Sequence, residues 1–212
     1  MKYKAILFDM DGTVLDTIDD LRDAVNHTLT LYGYPVCDTQ QVKDATGNGA
    51  RNLIAGCLPW GEATPNFEAI LTEYKSYYAA HARIKTKPYE GIVALLDELQ
   101  ANGCKVAIVS NKPDGAVKAL AAQFFPEIPA FGEAGLPRKP APDMVYHALE
   151  VLGADKENAV YIGDSEVDVA TARNAGMDMI AVSWGFRSRE HLARNGAQSI
   201  ADTIAQLQGK VQ

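Results

Sequence analysis

The sequence is poor in cysteine: three in 212 residues. Cys37, Cys57 and Cys104 are odd in number, far apart and without a CxxC pair. That argues against a disulfide framework and a zinc site. They read instead as reduced thiols, as in a cytoplasmic protein. The four histidines are scattered and form no metal-ligand pair. No apolar stretch approaches the length of a membrane span, and the run in MKYKAILFD is too short for a secretory leader. Internal repeats and low-complexity tracts are lacking as well. Positive charge is in deficit, 20 Lys and Arg against 27 Asp and Glu, for a net −7. This balance speaks against a general nucleic-acid binder or an anionic-membrane binder. It leaves an anionic small substrate open, because local charge decides that.

What is present is enough apolar residue, 47%, to build the core of one good-sized domain or of a domain carrying an insert. The first informative stretch is KAILFDMDGTVLDT, residues 4 to 17. Ala5 to Phe8 read as a buried strand. Asp11-Gly12 is turn chemistry, since Gly accepts a backbone that few other residues do. Asp9 and Asp11 therefore stand just past the end of a strand, where open α/β sheets place their sites. Taken alone, an Asp-Gly turn after a strand is only a turn.

Downstream the apolar period changes. Ile18, Leu21, Val25, Leu29 and Tyr32 predict an amphipathic helix, with Thr17 as its N-cap and Asp19 and Asp20 favourable in its first turn. Helices are expected at 39–45 and 51–58, a loop at 58–65, and a further helix with Phe67, Ile70, Leu71, Tyr74, Tyr77 and Tyr78 on one face. From Pro88 on, helices and strands alternate. Helices are expected at 92–99, 114–125, 144–152, 167–175 and 200–207. Strands are expected at 106–109, near 130–131, at 159–162 and at 179–182. This alternation implies a parallel sheet with helices on both faces. An isolated strand is not stable, so the first strand belongs to that later sheet. The fold class is then α/β, Rossmann-like, with an inserted α-helical cap. The core domain is expected at 1–14 and 86–212 and the cap at 15–85, with hinges at 14–17 and 84–90 and the cap acting as a lid over the strand ends.

Two later strands also end in polar residues, Ser110-Asn111 and Asp164-Ser165, and Lys139 lies between them in RKPAPD. Each has a plain explanation by itself: a helix cap, an N-cap, a solvated lysine. Asp164 and Asp168 are four apart and share a helix face if Asp164 opens the helix. Together, these carboxylates would repel in one small space, at a cost that desolvation increases. A hard divalent cation with oxygen ligands, Mg²⁺ best, compensates them along with the lysine. Metal, lysine, hydroxyl donors and a carboxylate nucleophile suit phosphoryl transfer.

These residues carry a resemblance to the haloacid dehalogenase-like superfamily, and within it to the Mg²⁺-dependent phosphatases. FDMDGTVLDT is similar to the first motif, VSNK to the second, RKPAPD to the third and GDSEVDVATARNAG to the fourth. The resemblance implies Asp9 as nucleophile, Asp11 as general acid and base, and Ser110 and Lys139 as phosphoryl-binding residues assisted by Asn111. It implies Mg²⁺ held by Asp9, the Asp11 carbonyl and Asp164, with Asp168 orienting water or Lys139, and Thr13 supporting the turn. TGNGARNLI, residues 46 to 54, is similar to the cap loop of phosphoglycolate phosphatases, or else is a Gly-Asn-Gly turn between helices. Asn48, Gly49 and Arg51 are accordingly candidate substrate contacts, Arg51 also reading as an exposed helix arginine. Arg187, in WGFRSRE after a strand, is a similar candidate.

The expected activity is hydrolysis of a small phosphorylated metabolite, 2-phosphoglycolate first, by a monomer or homodimer that engages neither nucleic acid nor membrane. The alternatives are a phosphohexose mutase with the same core, a metal-free 2-haloacid dehalogenase, against which Asp11 and the acidic cluster argue, and a non-catalytic binding protein on the same fold.

Overall fold

The computed structural model describes residues 1–212. The chain divides into two compact units, Met1–Leu15 with Pro88–Gln212, and Asp16–Lys87.

In chain order, β1 (Ala5–Phe8) opens the larger unit, and β2 (Leu15–Asp16) leads out of it. The smaller unit is helical: α1 (Ile18–Leu31), α2 (Thr39–Ala45), α3 (Gly49–Gly56) and α4 (Phe67–His81), with a 3₁₀ turn at Gly61–Ala63. Strand β3 (Lys87–Pro88) pairs with β2 where the chain returns. The larger unit continues through α5 (Ile92–Ala101), β4 (Lys105–Pro113), α6 (Asp114–Phe124), β5 (Ala130–Glu133), α7 (Asp143–Leu152), β6 (Ala159–Gly163), α8 (Glu166–Ala175), β7 (Asp178–Val182), α9 (Arg189–Arg194), β8 (Ile200–Ala201) and α10 (Ile204–Val211).

Six strands form one parallel sheet in the order β5-β4-β1-β6-β7-β8. Alternation along the strands distributes the core to two faces. Ile6 and Phe8 share a cluster with Leu95, Leu96 and Leu99 of α5, Val117 and Leu120 of α6, and Leu207 and Val211 of α10. Ala5 and Leu7 share the other cluster with Val145, Ala148 and Leu149 of α7 and Ala172 of α8. β1 is buried along its whole length, which is why its four residues are uniformly apolar rather than alternating.

In the helical unit, α2 starts with a capping box: Asp38 accepts from the N–H of Gln41, and the Gln41 side chain accepts from the N–H of Asp38, which satisfies two end donors at once. Thr17 stands at the N-cap of α1 but makes no side-chain cap bond. Asp20, expected to act on the helix dipole, is buried. It accepts from the N–H groups of Ile84, Lys85 and Thr86 and from the Thr86 hydroxyl. Tyr77 departs from the expected buried face of α4. Its ring is sandwiched between His27 and His81, at centroid distances of 3.7 and 3.9 Å.

The C-terminal expectation needs correction. Ile200 and Ala201 are a strand, and the last helix begins at Ile204 behind the N-cap Thr203. Both Ile200 and Ala201 are buried at the sheet edge, and a two-residue strand is too short to show a period of its own. β4 also runs beyond Val109 and carries Ser110, Asn111 and Lys112 within it.

Candidate active site

Because β1 lies between β4 and β6, Phe8 is in register with Ile108 on one side and Ile162 on the other. Asp9 follows Phe8 directly, and its N–H donates to Ile162 O at 2.8 Å. Ser110 and Asp164 each stand two residues past those partners, so sheet register alone brings three distant stretches to one edge. After Asp9 the chain turns tightly. Met10 O accepts from the N–H groups of Thr13, Val14 and Leu15, and Gly12 adopts φ +80°. A Cβ on Gly12 would sit 2.2 Å from Asp164 Oδ2, so this glycine answers both to backbone conformation and to close approach.

Lys139 is the hub. Its Nζ lies 2.8 Å from Asp9 Oδ1, 2.8 Å from Asp168 Oδ1 and 3.0 Å from Tyr161 Oη. It is 2% exposed, and these three acceptors match the three hydrogens of an ammonium. Burial alone would lower its pKa, but Asp168 and Asp9 outweigh it and hold the lysine well above its usual value. Asn111 fixes the lysine's backbone: its carboxamide donates to Lys139 O at 2.9 Å and accepts from Lys139 N–H at 2.8 Å. Ser110 is buried, and its Oγ accepts from Lys112 N–H.

Carboxylate oxygens of Asp9, Asp164 and Asp168 lie within 4.8 Å of one another, all buried. Burial first, then Asp168, push Asp9 up to about 7 despite Lys139. Burial, Asp168 and Asp9 raise Asp164 well above the carboxylate range. Such crowding favours a cation, and an all-oxygen donor set suits Mg²⁺. Asp11 stands outside that trio, with Oδ1 3.1 Å from the buried Lys112 Nζ. Thr13 Oγ1 donates to Asp164 Oδ1 at 3.3 Å.

Asp164 does not open the following helix. Ser165 is the N-cap and Asp168 the third helical residue, joined in a reciprocal capping box. Asp168 Oδ2 accepts from Ser165, while Oδ1 accepts from Lys139 and Tyr161. One carboxylate thus caps the helix with one oxygen and orients the lysine with the other.

In the helical unit, Asn48 is the N-cap residue of α3 without a side-chain cap bond, and Gly49 follows at φ +81°. The Arg51 guanidinium pairs with Glu62 at 2.7 Å and Glu68 at 2.5 Å and lies over the Phe67 ring. Its charge is answered within its own unit.

The sequence gives no role to Tyr161 or Lys112, and it offers Arg187 of the loop from Ser183 to Arg187 as a substrate contact, whereas its guanidinium pairs with Glu166. Tyr161 is hidden by its strand, since a tyrosine among apolar neighbours looks like core. Lys112 is the last residue of VSNK, but nothing in the motif shows that it pairs with Asp11.

The family described as haloacid dehalogenase-like hydrolase matches residues 6–182. The chain is 33% identical to a phosphoglycolate phosphatase of Rhodospirillum rubrum, over 96% of this chain and 89% of that one. It is 30% identical to an N-acetylmuramic acid 6-phosphate phosphatase of Pseudomonas aeruginosa, over 98% and 94%. The solved structure of a candidate phosphoglycolate phosphatase from Lactobacillus delbrueckii subsp. bulgaricus superposes with a TM-score of 0.94 at 39% identity, covering 100% of this chain and 99% of that one. With the motif residues assembled on one sheet edge, the chain belongs to the haloacid dehalogenase-like hydrolases and is a phosphoric monoester hydrolase.

Proposed function

We propose that this chain hydrolyses a small phosphorylated metabolite, with 2-phosphoglycolate as the first substrate to test, in a Mg²⁺-dependent reaction through an aspartyl-phosphate on Asp9. The observation that carries this reading is the contact of Asp9 with Lys139 at 2.8 Å, inside a trio of buried carboxylates. A buried nucleophilic carboxylate needs positive charge beside it before it can meet a dianionic phosphate.

Asp9, Asp164 and the Asp11 carbonyl would hold Mg²⁺, which supplies charge neutralisation at the phosphoryl oxygens when bound. In the first step a carboxylate oxygen of Asp9 forms a bond to phosphorus while the ester P–O bond breaks. Asp11 gives its proton to the departing oxygen, releasing the alcohol. In the second step Asp11 takes a proton from water, the water oxygen bonds to phosphorus, and the bond to Asp9 breaks. Inorganic phosphate leaves and both carboxyl groups return to their starting states. Lys139 and Ser110 hold the phosphoryl group across both steps. Asp168, with Oδ1 on Lys139, keeps the lysine aimed at Asp9.

A second substrate reading has its own support. The relative named for N-acetylmuramic acid 6-phosphate is matched at nearly the same identity and coverage as the one named for phosphoglycolate. A phosphorylated sugar acid is therefore the second compound to test. Phosphate release from both, with and without Mg²⁺, separates them. Preference for one by at least tenfold in kcat/KM assigns the substrate. Asp9→Asn is expected to abolish turnover in a folded protein, and retained turnover would refute the mechanism.

A further inference from the structure

Asp164 is held from a segment that none of the four motifs includes. Phe186 N–H donates to Asp164 Oδ2 at 2.6 Å. The residue before it, Gly185, packs its backbone against the same carboxylate. A Cβ there would meet both Asp164 Oδ2 and Gly12 O at 2.3 Å. Asp164 is thus pressed between two backbone loops, one after β1 and one after β7, with only Cα hydrogens between.

Three side-chain ties hold the second loop in place. Ser183 Oγ donates to Asp202 Oδ1 at 2.6 Å at its start. Trp184 Nε1–H donates to Thr13 O at 3.1 Å, joining the loop to the nucleophile's turn. At its end Arg187, 7% exposed, grips Glu166 through Nε at 2.9 Å and Nη2 at 3.2 Å. This fork is the geometry for which guanidinium is suited and ammonium is not. His191 Nε2 reaches the same Glu166 at 3.1 Å.

The placement of the fork is the informative point. Arg187 directly follows Phe186, and Glu166 stands two residues after Asp164. The ion pair therefore brackets the two segments that the Phe186–Asp164 hydrogen bond joins. A backbone N–H on a loop is a fixed donor only while the loop is fixed. We infer that the Ser183–Arg187 loop positions Asp164 for a divalent cation, and that Arg187 acts as its anchor through Glu166 rather than as a substrate contact. Arg187 is a positioning residue: it reaches the site through Glu166 and the Phe186 backbone. The inference rests on the proposed metal site.

The test is Mg²⁺ binding by titration calorimetry on the substrate-free protein, beside steady-state kinetics. Arg187→Ala and Glu166→Gln are expected to weaken Mg²⁺ by about 10- to 100-fold, with kcat at saturating Mg²⁺ within about threefold of wild type. Arg187→Lys keeps the charge without the fork and is expected to fall between. Lys118→Ala, on the exposed side of α6, gives the baseline. A merely structural arginine would lower thermal stability without raising the Mg²⁺ dissociation constant. Unchanged Mg²⁺ affinity in the folded Glu166→Gln and Arg187→Lys variants, with Asp164→Asn losing binding, overturns the inference and leaves the site intact. Wild-type Mg²⁺ affinity in Asp164→Asn overturns the metal site itself. If Arg187→Ala fails to fold, the other two variants decide.

Discussion

Lys112 Nζ lies 3.1 Å from Asp11 Oδ1, and both side chains are largely withdrawn from solvent. The lysine belongs to β4 and the carboxylate to the turn after β1, so two neighbouring strands fix this pair. It gives the proposed acid/base residue a cationic neighbour other than Lys139. Asp11→Asn is expected to lower kcat by about 10²- to 10⁴-fold, and Lys112→Met by a smaller factor. If the lysine acts through Asp11, its effect shrinks in the Asp11→Asn background. A double-mutant cycle in kcat measures this, and strictly additive losses would refute the coupling.

Tyr161 offers a cleaner substitution. Its hydroxyl accepts from Lys139 at 3.0 Å and also meets Val109 O and Asp168 Oδ1 at 3.3 Å. Tyr161→Phe keeps the ring and removes one of the three acceptors around a buried ammonium. Leaving such a donor unsatisfied costs about 1–3 kcal/mol. Urea denaturation is expected to show that loss. A variant as stable as wild type would mean that Lys139 finds another partner.

The metal-free protein should carry the signature of Asp9 in its stability. Its pKa is about 7 in the folded chain, raised from an unfolded value of about 3.9. The folded state thus favours the protonated form. That contribution is fully present below about pH 4 and is lost as pH rises through about 7. Asp9→Asn cannot titrate. Relative to that variant, wild type in chelator should lose stability between about pH 4 and pH 7 and level off above. Denaturation curves of the pair across this range provide the check, and a flat difference would refute it.

In the helical unit, Asp20 collects the N–H groups of Ile84, Lys85 and Thr86 and the Thr86 hydroxyl. Asp20→Ala removes the shared acceptor of a buried cluster. We expect a loss of about 2–4 kcal/mol and faster proteolysis at residues 84–86. Protease resistance equal to wild type would show that the segment is held by other contacts.

Much of this molecule is legible in its amino-acid sequence. Uniform burial along β1 and the strand-helix alternation after Pro88 are local properties, and local periodicity reports them. Asp9, Ser110, Lys139 and Asp164 were legible because each ends or follows an element in a recognisable motif. Tyr161 was not, and VSNK names Lys112 without naming its partner Asp11. A polar atom inside an apolar strand gives no hint of its partner until the neighbouring strand and helix are in place. The strand at Ile200–Ala201 was missed for a related reason, since two residues carry no period.

The sequence by itself determined the elements, their order and the chemical character of the site: carboxylates, one lysine and hydroxyl donors at strand ends. Only the tertiary structure decided the partners. Lys139 stands 130 residues from Asp9 in the chain, yet 2.8 Å from it in space. Asn111 turns to the lysine's backbone, Arg51 to glutamates of its own unit, and Arg187 to Glu166. Periodicity encodes which side of an element is buried. Contact between distant side chains depends on strand order and register, which no local pattern carries.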